Sequence, residues 1–277
     1  HSFGAVLALG ICSLLFYWNL SWRWCFFVPG ALALAATTLV WFCLRETPTE
    51  AGVPEIEMPG TKHGETEVET ISGAERRRLV FGNRVIWLIS IANFFVYVVR
   101  FGFLDWGPTF LKQYKGIEVS KGGLMMIGFE LAAVVGTIFA GWITDKIFGG
   151  RGVRTCVFCM LMTAFFSFAF WMLPPNAPIV YGTLLMMGAG FFIYGPQALI
   201  GIVAANQATK EAAALATGFT GIWGYASSLV SGLGIALIVA KWGWGTALCT
   251  IALFAIIGMS LFLCAWNAAA NGYSSKK

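Results

Sequence analysis

Within the run Asn93-Phe-Phe-Val-Tyr97-Val-Val-Arg100-Phe-Gly-Phe-Leu-Asp105-Trp106, an arginine stands among residues otherwise suited to lipid. A guanidinium centred in an apolar helix costs about 2.5–3.5 kcal/mol on insertion scales, so Arg100 is expected to face a protein interior or a water-filled path. At helical spacing Asn93, Tyr97 and Arg100 fall at i, i+4 and i+7. One stripe then carries an amide, a phenol and a guanidinium, while Phe94, Phe95, Val96, Val98 and Val99 cover the remaining surface. Two kinds of chemistry fit. The arginine could snorkel to a headgroup or tie helices together through backbone carbonyls. Alternatively its planar fork, charged at any physiological pH, matches a phosphate or carboxylate bidentately, most strongly where water is scarce.

The elements that must hold this stripe follow from composition. Of 277 residues, 58% are hydrophobic and 11% charged, with a mean hydropathy of +0.76. An ordinary soluble domain is roughly 25% charged, so the chain is expected to be an all-α, polytopic membrane protein. The 12 Trp and 24 Phe suit lipid-facing and interfacial positions, and the 33 Gly suit close helix packing. Lys and Arg are dispersed, so the net charge of +5 reads as topology bias and no nucleic acid is expected as a partner. The seven cysteines sit mostly in apolar runs. Cys156-Val-Phe-Cys159 lacks the second pair or histidines that a metal would need, so these thiols read as small buried hydrophobes and no metal site is expected.

Taken in order, residues 2–18 form an apolar run slightly short of the roughly 20 that span a bilayer. No basic region or cleavage site marks it as a signal peptide, so His1 is expected to lie within a helix that begins further upstream. Asn19-Leu-Ser-Trp22-Arg23-Trp24 reads as a turn, and residues 25–44 span again. Residues 45–84 are polar and acid-rich and close on Arg76-Arg77-Arg78. They read as a linker, mobile in its middle, whose arginines anchor topology in preference to recognising lipid. Six further spans are expected near 85–104, 122–144, 155–173, 179–203, 212–240 and 243–266. The domains are thus 1–44, 45–84 and 85–277. Lys and Arg concentrate on the side holding the linker, residues 145–154 and the tail, which places linker and C-terminus in the cytoplasm. Gly195-Pro196 is expected to interrupt its helix. Thr220, Gly224, Ser227 and Ser231 form a small-polar stripe better suited to helix contact than to lining a cavity.

Gly141-Trp-Ile-Thr-Asp145-Lys146-Ile-Phe-Gly149-Gly150-Arg151-Gly-Val-Arg154 combines a glycine for helix approach, an acid ending the span and basic residues fixing the loop. It resembles the loop signature of the major facilitator superfamily. In that superfamily the loop acts as a latch that changes partners during rocking, which makes Asp145, Lys146 and Arg151 gating candidates. Within that frame, Val96-Tyr-Val-Val-Arg100, Leu104-Asp-Trp-Gly-Pro108, Gly188-Ala-Gly-Phe-Phe-Ile-Tyr-Gly-Pro196, Leu199-Ile-Gly201 and Gly218-Phe-Thr-Gly-Ile-Trp-Gly-Tyr225 resemble the organophosphate:phosphate antiporter family.

The resemblance implies two six-helix bundles around a central site. This chain would supply the last two helices of the N-terminal bundle and the complete C-terminal bundle, with four helices ahead of His1. It implies a substrate-phosphate role for Arg100, whose partner arginine would come from the first bundle. It also assigns His1, Tyr97 and Glu130 to the binding site, with a lysine of the upstream helices as partner to Glu130. Asn93, Tyr194 and Tyr225 are added as candidates, although aromatics such as the two tyrosines in Gly-rich spans more often serve packing than ligand contact. The implied activity is exchange of a phosphorylated metabolite for inorganic phosphate, by a monomer in the bacterial inner membrane. It involves no covalent chemistry, no catalytic residue and no cofactor. Thr217 and Thr220 stand where some hexose-phosphate carriers place ionised residues, which favours glycerol 3-phosphate. The alternative is a transporter-like sensor of sugar phosphate that signals to a partner kinase.

Overall fold

The computed structural model describes residues 2–43, 52, 72–116, 119–174 and 177–270. His1 and most of the expected linker lie outside the described residues. Those described are almost entirely helical, and the chain divides into two compact units, Gly4–Thr70 and Ile71–Lys277 with the first three residues.

In the first unit, α1 (Ser2–Tyr17) and α2 (Trp24–Cys43) are joined by a tight turn. Asn19 takes φ 56° there, the left-handed region that asparagine tolerates better than most residues. Trp22 meets Phe26 edge-on, centroids 6.0 Å apart. α2 is long and apolar enough to cross a membrane.

The second unit begins with a helix that the polar composition of residues 45–84 concealed. In α3 (Gly73–Phe81) the Ser72 hydroxyl accepts from the Glu75 amide at 3.2 Å. That is half of a Ser-x-x-Glu capping box, the local signal for a helix start. Asn83 then caps α4 (Arg84–Gln113), its side-chain oxygen accepting from the Val85 amide at 2.9 Å. α4 runs some nine residues beyond the expected 85–104, through Pro108, because Gly107, Phe110 and Leu111 are buried and hold its second half in place. α5 (Val119–Lys146), α6 (Gly152–Met172) and α7 (Ile179–Gln207) follow.

The remaining helical stretch, Lys210–Cys264, is 55 residues long. At 1.5 Å per residue it is about 80 Å of helix, enough for two passes of a hydrocarbon core about 30 Å thick. The passes divide at Gly243, whose φ of 81° and ψ of 175° no helix adopts. α8 (Ala213–Leu229) leads through a π-helical turn, Val230–Gly234, into α9 (Ile235–Cys264), which contains that break. The two spans expected at 212–240 and 243–266 are therefore present with their turn one residue from where it was drawn.

α4 and α7 are the hub of this unit. α4 packs on α8, α9, α7 and α5, and α7 packs on α5, α6 and α8. The α5–α7 seam shows how closely. A Cβ added at Gly136 would lie 1.8 Å from the Phe191 carbonyl oxygen, and one at Gly190 2.5 Å from that of Phe129. Backbone approaches of this kind replace the hydrophobic drive that helices lack inside a bilayer. Gly141, expected to serve this purpose, does not: an added Cβ there meets nothing within 4 Å. α7 also corrects an expectation, since it continues through Gly195–Pro196 without interruption. Both residues are buried, and Gly195 packs closely against Cys159 and Ala140, so contacts with neighbouring helices support the segment where proline removes a helix hydrogen bond.

Candidate anion site

Arg100 is 5% exposed in the middle of α4, so its charge must be answered from within the unit. A terminal nitrogen of its guanidinium donates to the Tyr194 hydroxyl of α7 at 3.2 Å. That hydroxyl donates in turn to Oε1 of Glu130 on α5 at 2.5 Å. A cation and an acid, both buried, are thereby joined through a single oxygen. The guanidinium carbon lies 5.0 Å from the centroid of the Tyr194 ring, 5.4 Å from Phe101 and 5.8 Å from Tyr97, so aromatic faces supply further electrostatic support.

The stripe expected on α4 is present. Asn93 is buried, and its amide nitrogen donates to the Thr220 carbonyl of α8 at 2.8 Å. Gly224 makes this possible, since a Cβ there would stand 2.7 Å from that same nitrogen and 3.3 Å from the Tyr97 ring. Thr220, Gly224 and Ser227 of α8 are buried, as is Ser231 in the π-turn beyond it, in keeping with the contact role expected of the small-polar stripe. Ser231 gives its carbonyl to the Trp106 indole at 2.9 Å. Tyr97 is half-buried, and the exposed Tyr225 ring lies 5.7 Å from it.

Four buried polar atoms near this stripe have no partner among the described residues: Arg100 Nε, Glu130 Oε2, Asn93 Oδ1 and Gln197 Oε1. Gln197 was missed in the sequence. It lies one turn beyond Tyr194 on α7. The signal was an amide in an apolar helix, three residues from a candidate tyrosine. Glu130, for which an upstream lysine was anticipated, already has Tyr194 within this chain.

The structure brings Arg100, Tyr97, Asn93, Tyr194 and Glu130 together, and Tyr225 borders them. His1 lies outside the described residues. Asp145 and Lys146 at the end of α5 and Arg151 on the α5–α6 connection form a separate group, all exposed. There Gly149 and Gly150 turn with φ of 57° and 78°, and the Thr144 and Thr155 hydroxyls meet at 2.7 Å beneath the loop. At that same end Arg154 lies over the Trp266 ring at 5.0 Å and donates to its carbonyl at 3.3 Å, tying α6 to the end of α9.

Known proteins provide an independent view. The chain is 30% identical over 273 residues to a glycerol-3-phosphate transporter of Bacillus subtilis (strain 168), covering 96% of this chain and 61% of that protein. It is 33% identical over 270 residues to a probable hexose phosphate transport protein of Chlamydia pneumoniae, covering 92% of this chain and 59% of that one. It is 32% identical over 275 residues to the membrane sensor protein UhpC of Salmonella typhimurium, covering 96% and 61%. The chain thus spans about three-fifths of the length of these curated relatives. Among solved structures, a bacterial homologue of the human lysosomal transporter Spinster, inward-facing and unoccupied, superposes with a TM-score of 0.57 at 15% identity, over 95% of this chain and 64% of that one. Residues 1–232 match the Major Facilitator Superfamily, and the chain belongs to that family.

Proposed function

We propose that this chain forms the C-terminal bundle and the last two helices of the N-terminal bundle of a membrane carrier that exchanges a phosphorylated metabolite for inorganic phosphate. The observation that carries the reading is Arg100, a buried guanidinium that donates to a neutral hydroxyl and whose Nε has no partner among the described residues. A phosphate dianion offers that fork the bidentate acceptor it lacks here, in surroundings where water competes weakly. Binding draws Arg100 from Tyr194 towards the ligand. A second cation from the other bundle would complete the clamp, and closure around the ligand would lower the barrier to rocking between outward-facing and inward-facing states. A carrier that crosses only when occupied exchanges and does not leak, so the phosphate gradient drives uptake. His1, Tyr97 and Tyr225 flank the ligand, while Asp145, Lys146 and Arg151 act at the latch. The setting is a bacterial inner membrane, with residues 45–84 and the C-terminus cytoplasmic and the protein monomeric.

The named relatives that handle glycerol 3-phosphate and hexose phosphate support the substrate class. Thr217 and Thr220 favour glycerol 3-phosphate within it. The likeness to a membrane sensor protein supports a second reading, in which the same site reports sugar phosphate to a partner kinase. Liposomes bearing a full-length protein that contains this chain, preloaded with labelled phosphate, separate the two. External glycerol 3-phosphate should drive the label out. Saturable ester binding with no efflux would favour the sensor.

A further inference from the structure

The unpaired atoms divide by chemistry. Arg100 Nε is a donor and suits phosphate, but Glu130 Oε2, Asn93 Oδ1 and Gln197 Oε1 are acceptors. A phosphate dianion, which is itself an acceptor, cannot satisfy them. Each buried acceptor left unmade is costly, so this cluster is built to receive donors. The Asn93 amide is held in one orientation by its bond to Thr220, which leaves Oδ1 free. Gln197 projects from α7 one turn past Tyr194, and its Oε1 is buried with no partner among the described residues. Tyr97 and Tyr194 are the residues that flank the Arg100 guanidinium.

We infer that Gln197 is a specificity-determining residue that accepts hydrogen bonds from hydroxyl groups on the carbon skeleton of the substrate, while Arg100 holds its phosphate. The inference rests on the phosphate-ester reading above and narrows it: the ligand is a polyol or sugar phosphate and not a simple alkyl phosphate. A site built to pair a hydroxyl discriminates strongly against an analogue lacking it, because the buried acceptor is then left without a donor.

The test is equilibrium binding to the full-length protein in detergent, comparing glycerol 3-phosphate, propyl phosphate and inorganic phosphate. The first two share a phosphate and a three-carbon chain and differ only in hydroxyls. The wild type should bind glycerol 3-phosphate at least tenfold more tightly than propyl phosphate, and Gln197→Leu, similar in size but without an acceptor, should erase most of that preference. Gln197→Glu, which restores an acceptor, separates loss of a hydrogen bond from loss of packing by recovering part of it. Equal binding of the two esters by wild type, or an unchanged preference in Gln197→Leu, would overturn the inference and leave the phosphate reading standing. Binding of none of the three by wild type would overturn both.

Discussion

Arg100 and Glu130, on different helices, are joined through one atom, the hydroxyl oxygen of Tyr194, at 3.2 Å from the guanidinium and 2.5 Å from the carboxylate. The arrangement keeps a buried cation and a buried acid tied together without a direct ion pair. It leaves the guanidinium available, since a hydroxyl is a weaker partner for it than a carboxylate or phosphate would be.

Tyr194→Phe should therefore destabilise the bundle, because the ring packing survives while two buried charged groups lose their shared partner. A loss of about 1–3 kcal/mol is expected from leaving such groups unmade. Thermal unfolding in detergent measures it. Glu130→Gln, which keeps an acceptor for the Tyr194 hydroxyl, should be milder, and the reverse order would refute the relay.

Helix packing gives a prediction with its own control. Gly136→Ala would drive a methyl group into the Phe191 backbone carbonyl and should prevent normal assembly of α5 against α7, seen as loss of a monodisperse, folded species. Gly141→Ala, five residues along the same helix and facing open space, should leave folding intact.

Lys115 lies outside the spans, just beyond the end of α4, where it donates to the Leu173 carbonyl and sits 5.8 Å from the centroid of the Phe170 ring. Burial disfavours its ammonium and lowers its pKa from the ordinary 10.5. The unfolded chain then binds more protons than the folded one between the lowered value and 10.5, so this residue's contribution to stability rises with pH across that window. Amine acylation followed by mass spectrometry should show Lys115 half-ionised below pH 10.5, and Lys115→Gln should flatten the alkaline rise in stability.

Much of this was legible locally. Asn93, Tyr97 and Arg100 share a stripe because helical periodicity alone puts them there, and hydropathy located the spans. The Tyr194 bridge was not legible, because it depends on α4, α5 and α7 meeting at residues 30 to 94 positions apart, a relation no local pattern carries. The same reason misplaced the close approach at Gly141: a glycine in a helix permits contact, but the neighbour that uses it is set by the fold. α3 escaped notice because charge composition outweighed a capping signal four residues long. Gln197 escaped because a single amide in an apolar helix has no partner visible in sequence.

The most direct test of the account is the effect of Arg100→Lys on phosphate exchange in liposomes carrying the full-length protein. The lysine keeps the charge but loses the fork, so the account predicts that efflux of labelled phosphate driven by glycerol 3-phosphate falls at least tenfold while the protein still folds. Exchange at the wild-type rate would contradict it, because the phosphate would then be held by something other than Arg100.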